Sequence, residues 1–188
     1  MELSLREIEK LVIRSQRGNE EAFSLLFDHM YPRIRRYVDF RVNAEETEDI
    51  VADVFLRVTN NLKKYTKTPK GNFSAWVFRI AHNMVIDFYR KKRDFLQLTD
   101  PETGVVVFDV KDTALNPEER LIENEEHENV RAVLAGLSDT HREVLQLKYL
   151  EGFSHKEIAK IVGKSEGNIR VIQLRALREL RKFFPEID

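Results

Sequence analysis

The sequence contains no cysteine, which excludes disulfide frameworks, thiolate metal sites and cysteine nucleophiles. No apolar run approaches the roughly 18 residues that a membrane span needs, and the first residues lack the basic and then apolar pattern of a signal peptide. There is no nucleotide-binding loop, and the five histidines do not have metal-ligand spacing. These absences predict a cytoplasmic protein without a catalytic site, metal, cofactor, small-molecule substrate or direct membrane insertion.

The chain also lacks an excess of charge of either sign. Its 188 residues include 31 Lys and Arg against 32 Asp and Glu, a net charge of -1, which by itself argues against a nucleic-acid partner. The charge is segmented, however: residues 1–95 carry +4, residues 96–128 carry -8 and residues 129–188 carry +3. The acidic segment also holds three of the 12 glycines and prolines. We therefore predict two basic domains, 1–95 and 129–188, joined by a flexible acidic linker.

Both basic segments have the apolar periodicity of helices. Apolar residues recur at steps of three and four, as one buried helix face requires. The predicted buried faces comprise Leu11, Phe23, Leu26, Phe27 and Ile34, then Ile50, Val51, Val54, Phe55 and Val58, then Phe73, Val77, Ile80, Ala81, Met84, Val85 and Phe88. Asn43, followed by Glu46, marks the expected start of the second of these helices. The fold class expected is all-α, with two small helical domains.

Residues 154–172 have the pattern of a helix-turn-helix. Ser154 and Glu157 have capping-box spacing, Gly163 suits a left-handed turn, and Ser165 can cap the next helix. This geometry places the second helix in a DNA major groove. The net charge of +5 over residues 154–184 suits contact with phosphates. The alternative, an ordinary helical hairpin with a solvated basic face, is disfavoured by the helix-turn-helix geometry.

The start of the second helix carries side chains suited to base edges. Arginine pairs with guanine, asparagine or glutamine with adenine, and valine touches the thymine methyl group. The candidate DNA contacts in this domain are Ser165, Asn168, Arg170, Val171, Gln173 and Arg175.

The N-terminal domain holds an acidic patch and a basic, aromatic stretch. Glu48, Asp49 and Asp53 extend past the first helical turn, so either they bind a basic protein partner or they are only helix-dipole compensation. Residues 62–93 carry nine bases and one acid. One helix face there could bind unpaired nucleic acid, or its tryptophan could belong to the core beneath a solvated surface. That face comprises Trp76, Arg79, Asn83, Asp87 and Arg90, next to Lys91.

These motifs together resemble bacterial RNA polymerase sigma factors of the extracytoplasmic-function (ECF) group. The resemblance spans both domains in order and leaves only the linker unmatched. The matching segments are Glu21-Ala22-Phe23, residues 47–55, 73–83, 87–93, 137–145 and 151–154, and residues 170–177.

The resemblance implies a role for each matching surface. Glu48, Asp49 and Asp53 would bind the clamp helices of core RNA polymerase. Trp76 and Asn83, with their neighbours on the same helix, would recognise and melt the minus-ten promoter element, and the loop from Lys67 to Asn72 would capture a flipped base. The C-terminal helix would read the minus-thirty-five element while its domain rests on the polymerase flap.

The resemblance also implies an anti-sigma factor as a further candidate partner, one that could hold the protein at the membrane. The linker would be either an RNA mimic in the polymerase RNA path or a solvated tether. Two other functions remain open at this point: a helix-turn-helix regulator acting without core polymerase, and a helical adaptor that binds only protein. The first would need a ligand or receiver domain, and the second leaves the basic C-terminal helix unexplained.

Overall fold

The computed structural model describes residues 3–67, 72–99, 134 and 136–182, with the backbone alone for residues 95–99. The described residues form seven α-helices and one π-helical turn, and they contain no strand. None of these helices is both long enough and apolar enough to cross a membrane. The expected all-α fold is confirmed.

Four helices form the N-terminal domain and three form the C-terminal domain. The helices of the N-terminal domain are α1 (Leu5–Gln16), α2 (Glu20–Asp39), α3 (Ala44–Leu62) and α4 (Phe73–Thr99). Those of the C-terminal domain are α5 (Asp139–Leu145), α6 (His155–Ile161) and α7 (Glu166–Arg181). Helix α5 continues directly into the π turn (Gln146–Leu150). The first four residues of the predicted linker, 96–99, are the last residues of α4. The rest of that linker, residues 100–128, and most of the predicted base-capture loop, residues 68–71, lie outside the described residues.

Local capping chemistry sets several of the helix starts. The capping box predicted at Ser154 is present: the Glu157 amide donates to Ser154 Oγ, and the Ser154 amide donates to the Glu157 carboxylate at 2.8 Å. A second capping box starts α1 at Ser4. At Asn43 the predicted start of α3 is in the right place, but the asparagine side chain makes no capping hydrogen bond.

The predicted apolar faces form the core of the N-terminal domain. All five residues expected on α3 are buried, as are Leu11 of α1, Leu26 and Ile34 of α2 and most of those expected on α4. The large aromatics at the ends of the faces, Phe23, Phe27 and Phe88, are only partly buried and pack against the core from its edge. Helical periodicity therefore located the core correctly, since one face of each helix must leave water.

The two domains pack directly against each other. Helix α4 lies against α6, and the ring of Phe78 meets the ring of Phe153 edge to face at a centroid distance of 5.0 Å. Val144, Leu147 and Ile158 of the C-terminal domain belong to the same buried cluster as the N-terminal core. Long linkers usually separate mobile domains, but here the domains share an apolar interface.

Candidate DNA-binding and protein-binding surfaces

The predicted helix-turn-helix is formed by α6 and α7. Gly163 has a φ of +69° in the turn between them, a backbone conformation that glycine adopts without steric cost. The Lys164 amide donates to the Ala159 carbonyl at 2.9 Å and closes the turn. Ile158 and Ile169 are fully buried between the two helices, which fixes the orientation of α7.

The outward face of α7 presents basic and apolar side chains to solvent. Arg170, Arg175 and Val171 are exposed, and so is Leu174, which lies one turn from Val171. Asn168 is also exposed near the start of the helix. This face has the composition of a major-groove surface, with guanidinium groups for phosphates and guanine and methyl groups for thymine.

Two of the predicted DNA contacts already have structural roles. Ser165 is the N-cap of α7, and its Oγ accepts from the Asn168 amide at 3.2 Å. Gln173 is half-buried: its Nε2 donates to Tyr149 Oη at 2.7 Å, and its Oε1 lies 2.5 Å from His155 Nε2. These bonds connect the π turn, α6 and α7, so the Gln173 amide helps to hold the motif together.

Glu166 was not among the predicted site residues, and its carboxylate pairs with Arg170 across one turn of α7 at 2.7 Å. The hydrogen bond from Arg170 lowers the pKa of the Glu166 carboxyl below its ordinary value. The pair orients the guanidinium at the end of α7 that enters DNA in helix-turn-helix proteins. Its i, i+4 spacing was the signal that could have revealed it.

The predicted face of α4 is a second polar surface. Arg79, Asn83 and Arg90 are exposed along it, and Ile86 lies among them with 55% of its surface accessible. Lys91 is exposed beside this face, whereas Asp87 forms an ion pair with Arg90 at 3.2 Å. The exposed part of α4 thus combines hydrogen-bonding, cationic and apolar groups, as binding to unpaired bases requires.

Trp76 has features of both places that the sequence left open for it, the core and the exposed face. Its ring packs beside those of Tyr65 and Phe73, at centroid distances of 5.1 and 5.6 Å, yet the residue is only half-buried. One part of the indole supports the core, and the remainder stays accessible at the edge of the α4 face.

The acidic patch on α3 contains two kinds of carboxylate. Asp49 and Asp53 are exposed one turn apart, and neither forms an ion pair within the described residues. Glu48 accepts from Arg35 Nε at 2.7 Å and from Tyr31 Oη at 2.9 Å. These hydrogen bonds lower the pKa of the Glu48 carboxyl, and the bond from Arg35 has the larger effect. Asp49 and Asp53 are therefore the carboxylates available to a partner, with exposed Leu56 on the next turn.

Comparison with known proteins identifies the two domains. The family model Sigma-70 region 2 matches residues 26–95, and the model Sigma-70, region 4 matches residues 133–182. The chain is 31% identical over 167 residues to ECF RNA polymerase sigma factor SigX of Bacillus subtilis, covering 87% of this chain and 84% of SigX. It is also 31% identical over 178 residues to ECF RNA polymerase sigma factor BldN of Streptomyces coelicolor, covering 94% of this chain and 66% of BldN.

Two solved structures share the fold at 22% sequence identity. Sigma factor RpoE from Bartonella quintana, in complex with the anti-sigma factor NepR, gives a TM-score of 0.67 and covers 88% of this chain and 98% of its own. CnrH in complex with the cytosolic domain of CnrY gives a TM-score of 0.66 and covers 97% of this chain and 99% of its own.

These matches extend over both helical domains, in the order that the motifs indicated. A regulator acting without core polymerase is not favoured, because the N-terminal domain matches a sigma region rather than a ligand or receiver domain. The chain belongs to the ECF RNA polymerase sigma factors.

Proposed function

We propose that this sigma factor uses three separate surfaces: α3 to bind core RNA polymerase, α4 to recognise and melt the minus-ten element, and α7 to read the minus-thirty-five element. The observation that carries the proposal is the exposure of all three surfaces on a fold whose buried faces are mainly apolar. Such a role requires no catalytic chemistry by this chain and is exerted in the bacterial cytoplasm.

Asp49 and Asp53 are the proposed contacts to the clamp helices of the polymerase. Their exposure, and the lack of ion pairs to described residues, leaves both carboxylates free for a basic partner. Glu48 borders this patch and has a second role, because its hydrogen bonds with Arg35 and Tyr31 join α3 to α2.

Promoter melting is proposed to draw on binding energy. Asn83 and Arg79 would contact the edge of the minus-ten element, and the accessible part of Trp76 would stack on an unpaired base. Each stacked or captured base contributes roughly 1–3 kcal/mol, which offsets the loss of stacking within the duplex. Arg90 and Lys91 would hold the adjacent phosphates, with Asp87 fixing the position of Arg90.

On α7, Arg170 and Val171 are the proposed base readers of the minus-thirty-five element, and Arg175 is a phosphate contact. Asn168 would assist at the start of the helix. Because the Gln173 amide and the Ser165 hydroxyl already have intramolecular partners, their proposed contribution is to position α7. The C-terminal domain would rest on the polymerase flap. An anti-sigma factor is a further proposed partner, because the sigma factor RpoE from Bartonella quintana, which shares the fold, forms a complex with the anti-sigma factor NepR.

Reconstitution tests this proposal directly. The purified protein is expected to co-elute with core polymerase on size exclusion and to direct transcription from a specific subset of starts on genomic DNA. Core polymerase alone is the control. Failure to co-elute, or start sites identical to those of core polymerase alone, would contradict the proposed function.

A further inference from the structure

We propose that α1 positions Trp76 for promoter melting, through two polar side chains, Glu9 and Gln16, that hold the end of α3 and the start of α4. The role in melting deepens the proposed function and rests on it, whereas the effect on the position of Trp76 does not. Helix α1 lies outside the residues that the Sigma-70 region 2 model matches, which begin at residue 26. Because Glu9 and Gln16 are seven residues apart, they lie two turns apart on the same side of α1.

Gln16 holds the end of α3. Its Nε2 donates to the Leu62 carbonyl at 2.9 Å and to the Tyr65 carbonyl at 2.7 Å. Leu62 is the last residue of α3, and the last carbonyls of a helix lack intrahelical partners. A single amide group of α1 therefore fixes the direction in which the chain leaves α3.

Glu9 is bound at the start of α4. It is buried, and its Oε1 accepts from the Phe73 amide at 3.4 Å and from Tyr65 Oη at 3.5 Å. Phe73 is the first residue of α4, where amides are unpaired and the helix dipole favours a carboxylate. Lys67 Nζ lies 3.9 Å from the same oxygen. Helix α1 thus supplies a donor where α3 ends and an acceptor where α4 begins.

Tyr65 connects these contacts to Trp76. Its ring lies 5.1 Å from the Trp76 ring and 5.4 Å from that of Phe73, which it meets edge to face. Burial, and to a smaller extent the charge of Glu9, raise the pKa of the Tyr65 hydroxyl, so it stays protonated and can donate to Glu9. Trp76 therefore packs beside two rings, and Glu9 binds one by its hydroxyl group and the other by its backbone amide.

The position of Trp76 matters because its accessible part is the part proposed to stack on an unpaired base. A side chain that is ordered only when it binds loses conformational entropy at that moment, and a side chain that is already ordered does not. By fixing the two rings beside the indole, α1 would favour melting without touching DNA. Glu9 and Gln16 are in this sense positioning residues.

The fluorescence of Trp76 tests its position in the free full-length protein, because the chain has no other tryptophan. Glu9→Leu removes both hydrogen-bond acceptors and Gln16→Leu removes both donors, so each should make Trp76 more accessible to quenching by acrylamide. Glu9→Gln keeps a carbonyl oxygen that can accept the same two bonds, and quenching should remain at the wild-type level. Lys10→Gln, on the exposed side of α1, is the matched control.

Tyr65→Phe is a milder variant, since it removes one hydroxyl group and keeps the ring. It should raise quenching in the same direction as Glu9→Leu. It keeps the test decisive if circular dichroism shows that a leucine variant does not fold.

Promoter melting is then measured with core polymerase on duplex promoters, by the permanganate reactivity of unpaired thymines. We expect Glu9→Leu and Gln16→Leu to lower the equilibrium constant for melting about 5- to 10-fold, the lower part of what one stacked base contributes. Co-elution with core polymerase should be unchanged, and Glu9→Gln should restore melting. In a Trp76→Ala background Glu9→Leu should cause little further loss, because both changes act through the same indole.

Quenching that is unchanged in the leucine variants and in Tyr65→Phe overturns the positioning of Trp76 by α1. Raised quenching with unchanged melting, or losses that add fully in the double variant, overturns the role in melting. A wild-type protein that melts no promoter with core polymerase rejects the proposed function instead. The quenching result still decides whether α1 positions Trp76.

Discussion

The acidic patch of α3 and the two glutamates Glu143 and Glu151, which the N-terminal domain binds, place the same chemical group in opposite surroundings. Asp49 and Asp53 are exposed and have no ion pair among the described residues, whereas Glu151 is buried, Glu143 is largely buried, and both are paired. A hydrated carboxylate remains available to a second molecule, while a buried one has already exchanged its water for partners within the chain. The comparison teaches that burial, more than charge, separates carboxylates for a partner from carboxylates for the fold.

The largest effect is expected at the exposed pair. Asp49→Lys with Asp53→Lys should reduce affinity for core polymerase by about 100-fold or more, since like charges facing each other across an interface cost several kcal/mol. Co-elution on size exclusion and a binding titration measure this loss. Glu20→Lys with Glu21→Lys reverses two exposed acids on α2 and should leave binding unchanged. Retained co-elution of the α3 variant would remove Asp49 and Asp53 from the interface.

At the buried site, the effect should fall on stability. Glu151→Gln leaves Arg33 and Arg36 without their counter-charge, and breaking a buried pair costs about 3–5 kcal/mol. Because the side chains of these arginines retain 22% and 32% exposure and can regain water, we expect the lower end of this range, about 3 kcal/mol. Urea unfolding measures the loss. Glu20→Gln, at an exposed acid, is the matched control. A change no larger than that of the control would show that the ion pairs of Glu151 are unimportant for stability.

Acid should weaken the contacts between Glu143 of α5 and the N-terminal domain. Burial alone would raise the pKa of this carboxyl, but the charge of Arg41 and the hydrogen bonds from His82 and Tyr37 outweigh it and lower the pKa from 4.5 to about 2. A lowered folded-state pKa adds stability above pH 4.5, and that stability is lost as pH falls toward 2. The shift corresponds to about 3 kcal/mol, reduced by the remaining access of water to the site.

The measurement is urea unfolding at pH 6 and at pH 3, for the wild type and for Glu143→Gln. The wild type should lose more stability between the two pH values, because glutamine has no proton to gain. Subtracting the change in the free energy of unfolding of the variant from that of the wild type cancels the contribution of the other carboxylates. Equal pH dependence would mean that Glu143 is not held ionised by the N-terminal domain.

The smallest effect is expected at Asn83, an exposed residue without charge. Asn83→Ala should change the preference among minus-ten sequences by about 1–3 kcal/mol, the size of one base contact, while leaving polymerase binding intact. Competitive transcription from a promoter library measures the preference, and Asn61→Ala, an exposed asparagine on α3, is the matched control. Uniform loss across all promoters would contradict a reading role for Asn83.

Much of the fold was predictable because its causes are local in sequence. The capping box at Ser154, the turn at Gly163 and the three- and four-residue apolar steps each involve residues within one or two helical turns. The exposed face of α4 was predictable for the same reason, since residues 79, 83 and 90 return to one side of a helix regardless of what packs on the other.

The contacts of Glu143 and Glu151 with the N-terminal domain were not predictable in this way. The hydrogen bonds from Arg33 and Tyr37 connect positions separated by 118 and 106 residues, and no spacing rule relates such positions. In the sequence, Glu143 and Glu151 belong to segments matched to the family by their apolar neighbours, and nothing local marks them as buried. The partners of Glu48 and Gln173 were missed for the same reason, because each lies on another helix.

The sequence by itself determined which segments are helices, which side of each helix is apolar, and that two basic domains flank an acidic segment. These properties follow from backbone geometry and from side chains close together along the chain. Only the tertiary structure decided which polar groups remain available. Exposed Asp49 and Asn83 keep their hydration, whereas Glu143, Glu151 and the Gln173 amide exchange water for partners that folding brings from distant helices.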